Sequence, residues 1–203
     1  MNRNWSLVLV VAFAMGFGVK SYIDSQNELK AELKAERLLE QVSQAVLFGE
    51  SDQPVQIFDE EDPRTRIVYF GFTRCPDVCP TSLAMLAGAL NQIDDQLKQQ
   101  VRPMFVSLDP ERDAASASHE YAQYFHPMIE GLSAPLDVTQ PLAHKYGVIF
   151  RKTELADSKL GYTLDHSSYF YFISPQGELI EKVPHTLNPA PIIEAIKRLN
   201  IDQ

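Results

Sequence analysis

Cysteine is scarce in this chain: Cys75 and Cys79 are the only two among 203 residues. Two thiolates cannot fill the four positions of a structural zinc site without His or carboxylate, and an iron–sulfur cluster usually wants more of them. Basic clusters are missing as well. Lys and Arg number 18 against 27 Asp and Glu, for a formal net charge of −9, which argues against nucleic acid as a partner. There is no internal repeat and no low-complexity segment. The length suits one domain of about 150 residues plus an appendage. With 45% hydrophobic and 10% aromatic residues the chain can bury a core.

One long apolar run is present, Trp5 to Val19 (WSLVLVVAFAMGFGV), broken only by Ser6. It is shorter than the roughly 20 residues of a spanning helix, but flanking Trp5, Lys20 and Tyr22 suit a membrane interface. A cleaved signal peptide is the rival reading, because Ala12-Phe13-Ala14 forms an A-x-A triplet. Cleavage there would leave the apolar run continuing past the cut, so an uncleaved anchor over residues 1–20 is expected. The domain would then face the periplasm or cell exterior from the inner membrane, where disulfides are permitted.

Ser21 to Leu47 lacks Gly and Pro and carries apolar residues at Leu29, Leu33, Leu38, Val42 and Val46. This predicts one long helix of about 40 Å, a stalk or equally a helix that packs on the domain or pairs with a second copy. Gly49 to Arg64 is turn-rich and polar, and residues 49–65 read as a linker with at most one short strand. Its acid-rich run, Phe58 to Asp62, is a solvated loop on this reading. A globular domain over 66–203 follows. Arg66 to Phe72 reads as a buried strand, Thr81 to Gln99 as a helix, and Arg102 to Leu108 as a second strand. Asp109-Pro110 opens a helix to about Phe125. Another helix fits Val138 to Tyr146, closed by Gly147. Tyr169 to Ser174 and Glu178 to Val183 form a hairpin around Pro175-Gln176-Gly177, and Asn188 to Leu199 is a last helix. Right-handed crossovers make the first two strands parallel. The order is that of an α/β, thioredoxin-like fold.

Sites in such sheets form beyond the carboxyl ends of the parallel strands. Cys75 and Cys79 follow the first strand, and Asp109 to Asp113 (DPERD) follow the second. If strand 169–174 is antiparallel to the first, His166 enters it at the same end, 87 positions beyond Cys79. Pro80 disfavours a helical Cys79, so Cys79 reads as an N-cap, with both sulfurs at the positive end of the helix and both inclined to ionise. The pair remains open to several uses: a structural disulfide over a short loop, part of a zinc site, a dithiol–disulfide redox couple, or a seat for soft Cu(I) with imidazole as companion.

TRCPDVCP, VSLDPERD, YGV and LDHSSYFYFISPQG resemble, in order and spacing over about Ile67 to Leu199, the Sco/SenC family of copper chaperones. The resemblance implies a membrane-anchored, thioredoxin-like protein that binds one Cu(I) or Cu(II) through Cys75, Cys79 and His166. It implies assembly of the dinuclear copper centre of cytochrome c oxidase, by copper delivery, by reducing that centre's cysteines, or both. The implied partners are the copper-acceptor subunit and a copper donor or thiol reductant. Cys75 and Cys79 would be the redox-active pair if the protein is a thiol–disulfide oxidoreductase. Asp77 and Asp165 match family positions beside the ligands and read first as loop hydrogen-bonding residues. Asp109, Glu111 and Arg112 also match, as loop structure. Where reducing thioredoxin-like enzymes keep a cis-proline, this chain has Asp165-His166-Ser167, which favours metal access. The N-terminal β-hairpin usual in the family has little support in the acidic stretch 49–65. His119, His126, His144 and His185 read as surface or packing residues, and Met85, Met104 and Met128 as core.

Overall fold

The computed structural model describes residues 3–156, 158 and 160–199. The chain divides at residue 40 into two compact units. The first is a single helix for most of its length: α1 (Arg3–Ser43) is unbroken over 41 residues, as the Ala-, Leu-, Glu- and Lys-rich stretch from Ser21 predicts, but it stops short of the expected Leu47, because Val46–Phe48 pairs as a strand and buries Leu47. Along it Leu29 and Leu33 are about half exposed. Among the described residues, no helix is long and apolar enough to cross a membrane.

The second unit begins with a hairpin. Strands β1 (Val46–Phe48) and β2 (Pro54–Gln56) pair antiparallel around a turn that starts at Gly49. The acidic, strand-poor sequence gives little notice of it. Each strand has only three residues, too few for a periodic pattern, and its order comes from elsewhere: Phe48 and Ser133 exchange both backbone hydrogen bonds, at 2.8 and 3.0 Å.

Next come β3 (Thr65–Gly71), α2 (Val78–Gln92), the short α3 (Asp95–Lys98), β4 (Val101–Ser107), α4 (Ala115–Phe125), β5 (Glu130–Leu132) and α5 (Leu136–Lys145). The chain finishes with β6 (Phe150–Glu154), β7 (Tyr162–His166), β8 (Tyr169–Ile173), β9 (Leu179–Pro184) and α6 (Ala190–Arg198). The main sheet has the order β5-β4-β3-β8-β9. β3, β4 and β5 are parallel, and β8 runs antiparallel to both β3 and β9. This is the thioredoxin-like α/β arrangement expected. β3 lies in the middle with every residue buried, which explains its continuous apolar run.

Several boundaries differ from expectation for local reasons. The helix expected over 81–99 splits, because Asp94 accepts a hydrogen bond from the Leu97 amide at 2.9 Å and caps a new short helix. α4 starts at Ala115 rather than at Pro110. Residues 109–113 form a separate turn instead, in which the Asp113 amide donates to the Asp109 carbonyl. β5, with three residues, and the half-exposed, charge-bearing pair β6–β7 carry too little apolar pattern to be read from sequence.

The acidic loop 58–62 is not simply solvated. Arg66, fully buried at the start of β3, donates to the carbonyls of Ile57, Asp59, Asp62 and Arg64. One guanidinium thus satisfies four loop carbonyls, which would otherwise face an apolar interior. Arg66→Met should therefore lower stability by about 3 kcal/mol or more in urea denaturation of the full chain. Arg64→Ala, on the more exposed side of the same loop, should cost less than about 1 kcal/mol.

Candidate metal centre

At the carboxyl end of β3 the chain turns through Thr73-Arg74-Cys75 and enters α2. The helix begins one turn earlier than expected: Asp77 is the N-cap, and Cys79 lies within the first turn. Cys79 is thus helical, not a cap. The clash of a proline ring with the residue before it is a bias against helix, not a bar, and so early in α2 Pro80 breaks no helical bond, because first-turn amides have no partner inside the helix. The consequence is geometric. The Cys79 amide, at the positive end of α2, points at the Cys75 sulfur at 3.3 Å. The Cys79 side chain is fully buried, while Cys75 is half-buried.

His166 closes the group from far along the chain. It ends β7, and the short linker Ser167-Ser168 then feeds β8, which pairs with β3. Its Nε2 lies 3.4 Å from the Cys79 sulfur. Its Nδ1 donates to the Ser167 carbonyl at 3.1 Å. A carbonyl can only accept, so this bond leaves Nε2 with a free lone pair facing the sulfurs. Phe72 and Tyr69 meet the imidazole edge-on. The three donor atoms all lie within 4.8 Å of one another, and they are the sole such group of Cys, His and carboxylate among the described residues. Metal–donor bonds of about 2.0–2.3 Å in a three-coordinate site put donors roughly 4 Å apart, so the group fits one ion with little adjustment.

The two sulfurs are not equivalent. Cys75 is lowered to about 4, chiefly by the hydrogen bond from Cys79, with the amides of Asp77 and Cys79 assisting against burial. Cys79 is pushed up, by the Cys75 thiolate first and by burial second. The expectation that both cysteines ionise at the helix end is corrected to one thiolate and one buried thiol. They share a single favourable site for negative charge.

Two buried carboxylates hold the donors in place: Asp109, a loop-structure residue as expected, and Asp113. Asp113 accepts from the Thr73 amide at 2.8 Å, the Thr73 hydroxyl at 2.5 Å and the Ser107 hydroxyl at 2.6 Å, fastening the cysteine loop to β4. Asp109 accepts from Arg112 Nε and, at 2.6 Å, from the Tyr162 hydroxyl. Arg112 sits 3.6 Å over the Tyr162 ring and donates to the carbonyls of Leu160 and Tyr162. Lys152 reaches Glu111 at 2.6 Å. These bonds matter because β6 and β7 form a sheet of their own, outside the main one. The DPER turn latches the hairpin that carries His166. The polar DPERD cluster after a strand was visible in the sequence, but its partner Tyr162 was not, since nothing local marks it.

Asp77 and Asp165 are exposed and hydrogen-bond locally, Asp165 to Thr153 and Arg151. The other histidines stay apart from the site. His119 faces Glu50, His126 accepts from the Met128 amide, His144 lies beside Phe150, and His185 meets the Ser82 hydroxyl. Met104 is core as expected; Met85 and Met128 are only half-buried.

Comparison with known proteins agrees with the four-segment resemblance. A family model described as SCO1/SenC matches residues 46–200. This chain belongs to the SCO1/SenC family. The mitochondrial protein SCO2 of Saccharomyces cerevisiae is 30% identical over 198 residues, covering 95% of this chain and 65% of that protein. The chain therefore spans just under two thirds of that relative's length. A crystal structure of Arabidopsis thaliana ScoI with copper bound aligns with a TM-score of 0.67 at 32% identity, over 77% of this chain and 96% of that one. The solution structure of apo Sco1 from Thermus thermophilus aligns equally well, at 0.67 and 29% identity, over 76% and 88%. Cys75, Cys79 and His166 all lie within the part matched by the SCO1/SenC family.

In the metal-free protein, alkylation of Cys75 by iodoacetamide should proceed at a nearly constant rate from about pH 6 to pH 8 and slow as pH falls towards 4, following the thiolate fraction. Cys79 should remain largely unmodified across that range, as peptide mapping would reveal. Tyr162→Phe should speed amide hydrogen exchange in β6 and β7 while leaving α2 unchanged.

Proposed function

We propose that this SCO1/SenC protein is a copper chaperone that binds one copper ion through Cys75, Cys79 and His166 and serves assembly of the dinuclear copper centre of cytochrome c oxidase. The observation that carries this reading is the meeting of two sulfurs and one imidazole nitrogen within 4.8 Å. Two thiolates and one imidazole make a soft, three-coordinate donor set, which suits Cu(I) and leaves a structural zinc ion one ligand short. Copper is cargo here. The chain's task is to hold it and give it up. Cys75, half-buried, is the sulfur that an incoming ligand can reach, while Cys79 anchors from within. Binding displaces the Cys79 proton, so capture is coupled to proton release.

A second reading is a thiol–disulfide oxidoreductase, favoured by the low position of Cys75 beside a protonated Cys79. The Cys75 thiolate would attack a partner disulfide, form a mixed disulfide and release one partner thiolate. Cys79, losing its proton, would then displace the second, leaving a Cys75–Cys79 disulfide and a reduced partner. One protein can serve both ends, since reduction of the acceptor's cysteines prepares them for copper. The partners are then a copper-acceptor subunit and a copper donor or thiol reductant. We further propose that residues 1–20 anchor the chain in the inner membrane and that 21–40 act as a stalk, shorter than the expected 21–48 because the chain from residue 41 belongs to the second unit, with the copper-binding domain on the exported side. The apolar run Trp5 to Val19, followed by Lys20, supports this.

Copper titration of the full chain should give one equivalent bound. His166→Ala should weaken binding by more than about 100-fold, beyond the 10–100-fold typical of losing an outer partner. Unchanged affinity would rule out the three-donor site. Loss of oxidase assembly in Cys75→Ser but not in His166→Ala would favour the oxidoreductase.

A further inference from the structure

Tyr69 stands in the middle of β3, fully buried, and its hydroxyl has no hydrogen-bond partner. Buried hydroxyls are nearly always paired, and an orphan calls for a reason. The phenol faces the Cys79 sulfur and the hydroxyls of Ser82 and Ser168, without reaching hydrogen-bond geometry with any. The Ser82 hydroxyl is already engaged with His185 Nδ1 at 2.8 Å. The imidazole of His166 meets the Tyr69 ring edge-on, 6.3 Å between centroids. Gly71 shows how tightly this corner is drawn. A Cβ there would stand 2.9 Å from the Cys79 sulfur and 3.1 Å from Tyr69 Cε1, so only glycine lets ring and sulfur share the space. The unpaired donor is thus aimed into the donor cluster, beside its innermost sulfur.

A neutral thiol is a weak acceptor, whereas a metal-bound thiolate is a strong one. We propose that Tyr69 is a positioning residue of the copper site, donating its phenolic hydrogen to the Cys79 thiolate when the ion is bound. The inference rests on the copper reading given above. Hydrogen bonds to a coordinating sulfur withdraw electron density from it and tune the redox balance of the ion. Tyr69 therefore favours Cu(I) over Cu(II) and holds the Cys79 sulfur in its coordinating orientation. Its orphan state in the metal-free protein is relieved on loading, which adds to the stabilisation that copper gives.

The test uses the full chain loaded with one equivalent of Cu(II). Tyr69→Phe removes one oxygen and keeps the ring. The thiolate-to-copper absorption band should move to lower energy and the Cu(II)/Cu(I) potential should fall. The metal-free variant should melt at or above the wild-type temperature, with a smaller upward shift on adding copper. Replacing Tyr69 with 3-fluorotyrosine, a stronger donor with no atom removed from the ring frame, should move band and potential the opposite way. Tyr146→Phe is the control. It also removes a buried hydroxyl, one that donates to the Gly177 carbonyl at 3.0 Å in the turn beyond the far end of β8, and it should leave both readouts unmoved. A band and potential unchanged in both Tyr69 variants, or moved as far by Tyr146→Phe, overturn the proposal while the copper site stands. Failure of the wild-type chain to bind copper, or equal binding by His166→Ala, overturns the site itself and this inference with it.

Discussion

The sulfur end of the molecule depends on two buried carboxylates four residues apart, Asp109 and Asp113. Asp113 fixes the loop that delivers Cys75, and Asp109, through Arg112 and Tyr162, fixes the hairpin that delivers His166. Each is only about 1–2% exposed. A buried carboxylate is tolerable only when its oxygens are well satisfied. Here the groups that satisfy them belong to the loop and hairpin that must meet. The desolvation cost of the acids is thereby offset by bonds that bring the donor atoms together.

The arrangement of the donors follows from the same economy of charge. The N-terminal turn of α2 offers amides to Cys75, while Cys79 sits deeper and keeps its proton. A pair of thiolates side by side would repel, and only a cation between them removes that conflict. His166 is held by the Ser167 carbonyl with its lone pair inward. The group is therefore arranged for a cation before one arrives. The half-burial of Cys75 leaves it reachable from outside, as both capture of an ion and attack on a disulfide require.

Much of this was legible in the residues. The central strands and the final hairpin follow from apolar runs and turn residues, since β3 and β8 are buried and their patterns strong. The two cysteines and His166 were found by spacing, topology and family resemblance. What escaped were elements whose order is borrowed. β1 and β2 are held by Ser133, and β6 and β7 by the DPER turn. Polar, half-exposed strands leave no periodic trace. Cys79 is helical against the bias that a following proline imposes, because the first turn of α2 loses no bond to Pro80 and the bias is outweighed. Arg66 looked like the edge of a strand, and its role became visible only with the loop carbonyls around it.

The sequence by itself determined which donor atoms exist, the fold that carries them and the end of the sheet where they gather, because those depend on local pattern and chain order. Only the tertiary structure decided how they meet: which sulfur carries the charge, which nitrogen faces it, and that Tyr69 stands unpaired against the site. These depend on distances of a few ångströms between residues as much as 87 positions apart, and on burial, which no local pattern encodes.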